Sequence, residues 1–139
     1  MDLISTMPIF NLYNDEWPVF NQQINMAPAK FIHDSEGNQG RTNDSIVSLG
    51  VVVSGSVIER SVLSPNVRVF SRSLVTDSVI LDNVEIGRDC TIRKAILDKD
   101  VAVADGASIG VNRERDIERG FTVTDSGITV VTKGLLVKP

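Results

Sequence analysis

One histidine, one cysteine and a scatter of lysines and arginines are the residues of this chain whose types are suited to chemistry. Acyl transfer wants a histidine general base, and a zinc centre wants several His or Cys ligands at fixed spacing. His33 has neither a Cys nor a second His at metal-ligand distance along the chain, so it reads as a solvated loop residue. Cys90 falls two residues before Ile92 in an aliphatic repeat, where a small core residue is expected rather than a nucleophile. No GxGxxG or GxxxxGK[ST] pattern occurs, so a phosphate-cradling loop is missing from the sequence. What remains are cations: Lys30, Arg41, Arg88, Arg93, Lys94, Lys99, Arg115, Arg119, Lys133 and Lys138. Each is able to hold a phosphate through charge-assisted hydrogen bonds, and residue type alone singles out none of them.

Charge and composition narrow the partners. Fourteen basic and eighteen acidic residues give a net charge of −4, and neither sign gathers into a block, so there is no nucleic-acid footprint. No apolar run approaches the roughly 18 residues of a membrane span, and Asp2 stands where a signal peptide would carry positive charge. A single cysteine makes no internal disulfide. These features lead to the expectation of a cytoplasmic protein with neither a membrane nor a nucleic-acid partner.

The elements that position the cations are visible as a repeat. Ser45-Ile-Val-Ser-Leu-Gly-Val-Val-Val53, Ser61-Val-Leu-Ser-Pro-Asn-Val-Arg-Val69, Ser78-Val-Ile-Leu-Asp-Asn-Val-Glu-Ile86 and Ala95-Ile-Leu-Asp-Lys-Asp-Val-Ala-Val103 share one pattern. Two adjacent aliphatics are followed by three mostly turn-forming residues, then by an aliphatic, a variable residue and another aliphatic. Short strands joined by corners fit this pattern. The sequence also steps by six through Leu74, Ile80, Ile86 and Ile92, and again from Val103 to Ile109. Three such steps close one coil of the hexapeptide variety of parallel β-helix. One coil buries too few aliphatics to offset the entropy of ordering it, so stability must come from stacking. Stacking in turn requires like residues such as Val67, Val84 and Val101 to share a column. An antiparallel sandwich would explain the aliphatics but not the return of the same pattern at nearly constant spacing.

The flanks lack the repeat. Residues 1–44, with Pro8, Pro18, Pro28 and the polar run His33 to Arg41, read as a connector, with a short helix near Phe10 to Trp17. The aromatic cluster Phe10, Tyr13, Trp17 and Phe20 is expected to pack against the far end of the fold or another domain. The coils occupy 45–111. Residues 112–139 then supply a capping turn or short helix at Arg113 to Arg119 and a late strand, Gly127-Ile-Thr-Val-Val-Thr-Lys133.

Hexapeptide β-helices often serve as acyltransferases, but the lone histidine precedes the first expected coil, so that reading lacks its general base. A scaffold that only oligomerises is the second alternative. A third reading rests on likeness. Pro28-Ala-Lys-Phe-Ile-His33, the repeats from Ser45 to Gly110 and the closing Gly-Ile-Thr-Val-Val-Thr-Lys133 together resemble the C-terminal third of the ADP-glucose pyrophosphorylases, actinobacterial forms most closely. Met1-Asp-Leu-Ile and Phe10-Asn-Leu-Tyr-Asn14 resemble the connector that follows the catalytic domain in that family.

The resemblance implies a left-handed β-helix whose parent enzyme uses ATP and Mg²⁺ to convert glucose 1-phosphate into ADP-glucose and pyrophosphate, for glycogen synthesis. It implies that the catalytic residues lie in an N-terminal domain and that this segment carries none. It further implies a homotetramer controlled by phosphorylated metabolites, with Lys99 and Lys133 matching cations that bind the anionic activator. Some relatives carry an arginine where this chain has Val137, which turns attention to the neighbouring Lys138.

Overall fold

The computed structural model describes residues 25–139, together with Thr6. Its strands come in triplets. The first coil holds β1 (Lys30–Ile32), β2 (Arg41–Asn43) and β3 (Ile46–Val47), and the second β4 (Val52–Ser54), β5 (Val57–Glu59) and β6 (Val62–Leu63). The third holds β7 (Arg68–Val69), β8 (Leu74–Thr76) and β9 (Val79–Ile80), and the fourth β10 (Glu85–Ile86), β11 (Thr91–Arg93) and β12 (Ala95–Leu97). After β13 (Ala102–Val103) and β14 (Ser108–Ile109) come a helix, α1 (Arg113–Glu118), and the strands β15 (Thr122–Val123), β16 (Thr129–Val131) and β17 (Leu136–Val137).

Each strand of a coil hydrogen-bonds to its counterpart in the next. The result is three sheets ordered β1-β4-β7-β10-β13-β17, β2-β5-β8-β11-β14 and β3-β6-β9-β12-β16-β15. All pairings are parallel except β15 with β16. This is a parallel β-helix, a prism with one sheet on each side. The aliphatics line up as stacking demands. Val52 N donates to Val67 O, Arg68 N to Val84 O and Glu85 N to Val101 O, each at 3.0 Å, and Val67, Val84 and Val101 form one buried column.

The inward residues of the three sheets are Val53, Ile58, Leu63, Val69, Val75, Ile80, Ile86, Ile92, Leu97, Val103 and Ile109, all buried. Their spacing explains the period. The corner between the second and third sheets is always one residue short, because Arg60, Asp77 and Lys94 turn there with positive φ. A 17-residue coil follows, and a second short corner at Gly55 trims one coil to 16. Leu74 is not part of the inward series expected from the steps of six. It is only half-buried on the outer side of β8, and Val75 takes the core position.

Small hydroxyls complete the interior. Ser45, Ser61 and Ser78 each accept a hydrogen bond from the backbone N–H one coil on, at 3.1 to 3.2 Å, and the ladder ends at Ala95. Ser56, Ser73 and Cys90 form a second such column. The Cys90 thiol is buried, and burial pushes its pKa up, so it behaves as the core residue the repeat predicts.

Both flanks differ from the sequence reading of their roles. β1 and β2 lie inside the stretch read as a connector yet pair with β4 and β5, so stacking begins at Lys30, ahead of Ser45. The repeat is hidden there because Phe31 and Thr42 take the inward positions. A hairpin bridged between His33 and Gln39 also interrupts the spacing. At the other end β16 and β17 continue the columns, burying Val131 and Val137. The short helix and aromatic cluster expected between Phe10 and Phe20 lie outside the described residues.

Candidate functional site

Of the three lysines expected to hold an anion, the stack brings two together. Leu97 and Val131 are register partners in β12 and β16, so the corners Asp98-Lys99-Asp100 and Thr132-Lys133-Gly134 lie one on the other. Gly134 N donates to Lys99 O at 3.0 Å and Asp98 N to Val131 O at 3.0 Å. Lys99 and Lys133 therefore occupy equivalent places on adjacent rungs, about 4.8 Å apart at the backbone. Both side chains are more than half exposed.

Each ammonium leans on one carboxylate from the preceding rung. Lys99 Nζ lies 3.6 Å from Asp82 Oδ2 and Lys133 Nζ lies 3.6 Å from Asp100 Oδ2. Contacts this long between exposed groups are weak and screened. Asp100 is held otherwise as well. It turns the corner with φ +60°, and its Oδ1 accepts a 3.0 Å bond from Asn83, whose own amide oxygen accepts one from Asn66 at 3.0 Å. Asp98 accepts from Lys99 N at 2.7 Å. The corner thus sets two ammonium groups among three carboxylates.

Lys138 is not part of this corner. It follows β17, at the opposite end of that strand from Lys133, and its carbonyl accepts a 3.2 Å hydrogen bond from Arg119 Nη1.

Arg119 belongs to a cluster that residue types did not reveal. Asp116, 1% exposed inside α1, accepts from Gly110 N at 2.8 Å, from the Thr129 hydroxyl at 3.1 Å and from Arg119. Arg119 also donates to Ser108 O, and its guanidinium lies 4.8 Å over the Phe121 ring. Asn112 caps the helix by accepting from Arg115 N. An ion pair between buried Asp116 and part-buried Arg119 therefore ties the helix to β14, β16 and the residue after β17. The sequence shows only alternating charge from Arg113 to Arg119, and nothing in it distinguishes the buried aspartate from its exposed neighbours.

Comparison with known proteins agrees with this architecture. A family model described as GlmU-like, C-terminal hexapeptide matches residues 27–131. The chain is 56% identical over 138 residues to a glucose-1-phosphate adenylyltransferase of Leifsonia xyli subsp. xyli, covering 99% of this chain and 33% of that protein. Proteins of the same description from Bifidobacterium adolescentis and Deinococcus radiodurans are 52% and 48% identical over 99% and 96% of this chain. The chain spans about a third of the length of these relatives and corresponds to their C-terminal region. With its coils, its period and the matched span in agreement, the chain belongs to the GlmU-like, C-terminal hexapeptide family.

Proposed function

We propose that this chain is the regulatory and assembly domain of a glucose-1-phosphate adenylyltransferase, and that the Lys99–Lys133 corner receives the phosphate of an effector metabolite. The observation that carries the reading is the stacking of Lys99 on Lys133, two residues far apart in the chain, into one corner. In this reading the preceding part of the longer protein binds ATP, glucose 1-phosphate and Mg²⁺ and performs the transfer in the cytoplasm.

Assembly has its own support. Ile46, Val62, Val79, Ile96 and Val130 form a stripe on the outer side of the third sheet, and each is only partly buried. A flat row of β-branched side chains is suited to pack against a second copy, and a homotetramer is the assembly proposed. An acyltransferase is disfavoured because His33 sits in a hairpin beside the first coil, with no other histidine in the chain.

The test is an effector titration of the intact enzyme with fructose phosphates. Lys133→Ala is expected to raise the half-activating concentration roughly tenfold, the loss of one charge-assisted contact, while basal turnover stays unchanged. Activation identical to that of the parent enzyme would remove the corner from the effector site.

A further inference from the structure

The outer side of the β2-β5-β8-β11-β14 sheet carries an open trough of about 710 Å³, and a second depression of about 450 Å³ continues it, sharing Arg41, Val57 and Leu74. Fourteen lysines and arginines occur in the chain, and eight of them have no carboxylate partner among the described residues. Three of those eight, Arg41, Arg93 and Lys94, meet on this trough.

The acids in the trough are already matched. Arg60 grips Asp77 with two hydrogen bonds at 2.7 and 2.9 Å and reaches Glu59 at 3.5 Å. The lining consequently carries an excess of positive charge in a chain whose net charge is −4. Thr76 lies between Glu59 and Arg93 in register, on the floor of the trough. The rung beyond Arg93 is Gly110, with φ +72°, where a Cβ would fall 1.7 Å from the Arg93 carbonyl oxygen. Gly110 therefore adds no side chain at that rung, and it lines the trough together with Arg93 and Lys94.

From this placement we infer a second anion site, independent of the Lys99–Lys133 corner. Arg93, Lys94 and the Thr76 hydroxyl take one phosphate of a small molecule. The apolar body of the ligand lies along Leu74 and Val57, and a second anionic group reaches Arg41. β2 and β11 are three rungs apart, about 14 Å, which two long arginines narrow to the length of a bis-anionic metabolite. A guanidinium next to an ammonium supplies both fork geometry and point charge, and the low wall of Val57 and Leu74 lowers the local dielectric.

The test follows backbone amide shifts of the ¹⁵N-labelled chain as inorganic phosphate is added at constant ionic strength, with chloride as the matched control. Saturable shifts are expected at Thr76, Arg93, Lys94 and Gly110. The double variant Arg93→Gln, Lys94→Gln should weaken this binding by roughly tenfold or more, while Lys99→Ala with Lys133→Ala should leave it unchanged. All four substitutions fall on exposed side chains, and an unchanged amide spectrum without phosphate verifies the fold. Shifts that grow linearly and equal those of chloride overturn the inference. So do shifts that survive the Arg93–Lys94 variant, or that vanish only with the Lys99–Lys133 variant, which would assign the binding to the other corner.

Discussion

The three corners of the prism all set a cation beside an aspartate of a neighbouring rung, yet they reach opposite outcomes. At one corner Arg60 meets Asp77 with contacts of 2.7 and 2.9 Å, and at another Arg72 meets Asp89 with contacts of 2.7 and 2.8 Å. At the corner between the third and first sheets Lys99 and Lys133 reach Asp82 and Asp100 only at 3.6 Å. Exposure does not explain the contrast, since the Arg60 and Lys99 side chains are 47% and 52% accessible. The difference is chemical. A guanidinium fork matches both oxygens of a carboxylate one coil away and is saturated by it, whereas an ammonium makes one long contact and keeps donors free. The Arg60 and Arg72 corners staple coils together, and the Lys99–Lys133 corner keeps cations available.

A further ion pair, Arg119–Asp116, extends the comparison into the interior, and the largest effect is expected there. Asp116→Ala removes the buried carboxylate that pairs with the part-buried Arg119 and leaves the Gly110 N–H and the Thr129 hydroxyl without their acceptor, so urea unfolding should show a loss of about 3 kcal/mol. If the loss falls under about 1 kcal/mol, the cap is not held by this cluster.

Ligand binding should rank the corners in the reverse order. In a phosphorylated-effector titration Arg72→Ala should leave the half-saturation point unmoved, because that guanidinium is already engaged by Asp89 and Glu36. Asp100→Asn removes the competitor of Lys133 and should lower the half-saturation point severalfold. An Asp100→Asn variant that binds more weakly would show that the carboxylate positions the lysine instead of competing for it.

Acid should separate the corners as well. The Arg60 and Arg72 forks lower the pKa values of Asp77 and Asp89, and the Asn38 side chain together with backbone N–H donors brings Asp34 down to about 2. A depressed folded-state pKa means that the contribution is complete above the unfolded value, about 3.9 for aspartate, and is lost as pH falls through the folded value. Thermal melts between pH 4 and pH 2 should therefore show a falling midpoint, and Asp34→Asn should flatten part of that slope. A midpoint independent of pH in this window would contradict the tight pairing of these aspartates.

The smallest change expected is in Arg72→Lys. It exchanges a fork for a point charge at an exposed site, so the melting midpoint should drop slightly and the difference should fade in molar salt. A drop as large as that of Asp116→Ala would erase the distinction between surface staple and buried lock.

Legibility in the sequence followed the strength of the periodic signal. Between Ser45 and Gly110 the aliphatic recurrence was regular enough to show coils, columns and the inward place of Cys90. It failed at the first coil, where Phe31 and Thr42 stand in for the aliphatics and a hairpin shifts the count. It failed in detail at Leu74, because two adjacent apolar residues do not say which of them points inward. The lysines entered through likeness to a family, since charge alone did not separate Lys99 from Arg93. Asp116 had no sequence signal.

Sequence alone determined that this chain must stack. A short aliphatic period cannot bury its apolar face within one coil, so the neighbouring coils are written into the repeat itself. Only the tertiary structure decided which charges become partners. Lys99 and Lys133 follow different strands and meet because the cap intervenes and β16 then returns in register beside β12. Contacts between charges depend on the corner each residue occupies and the side chain one rung away, and that adjacency exists only once the coils are wound.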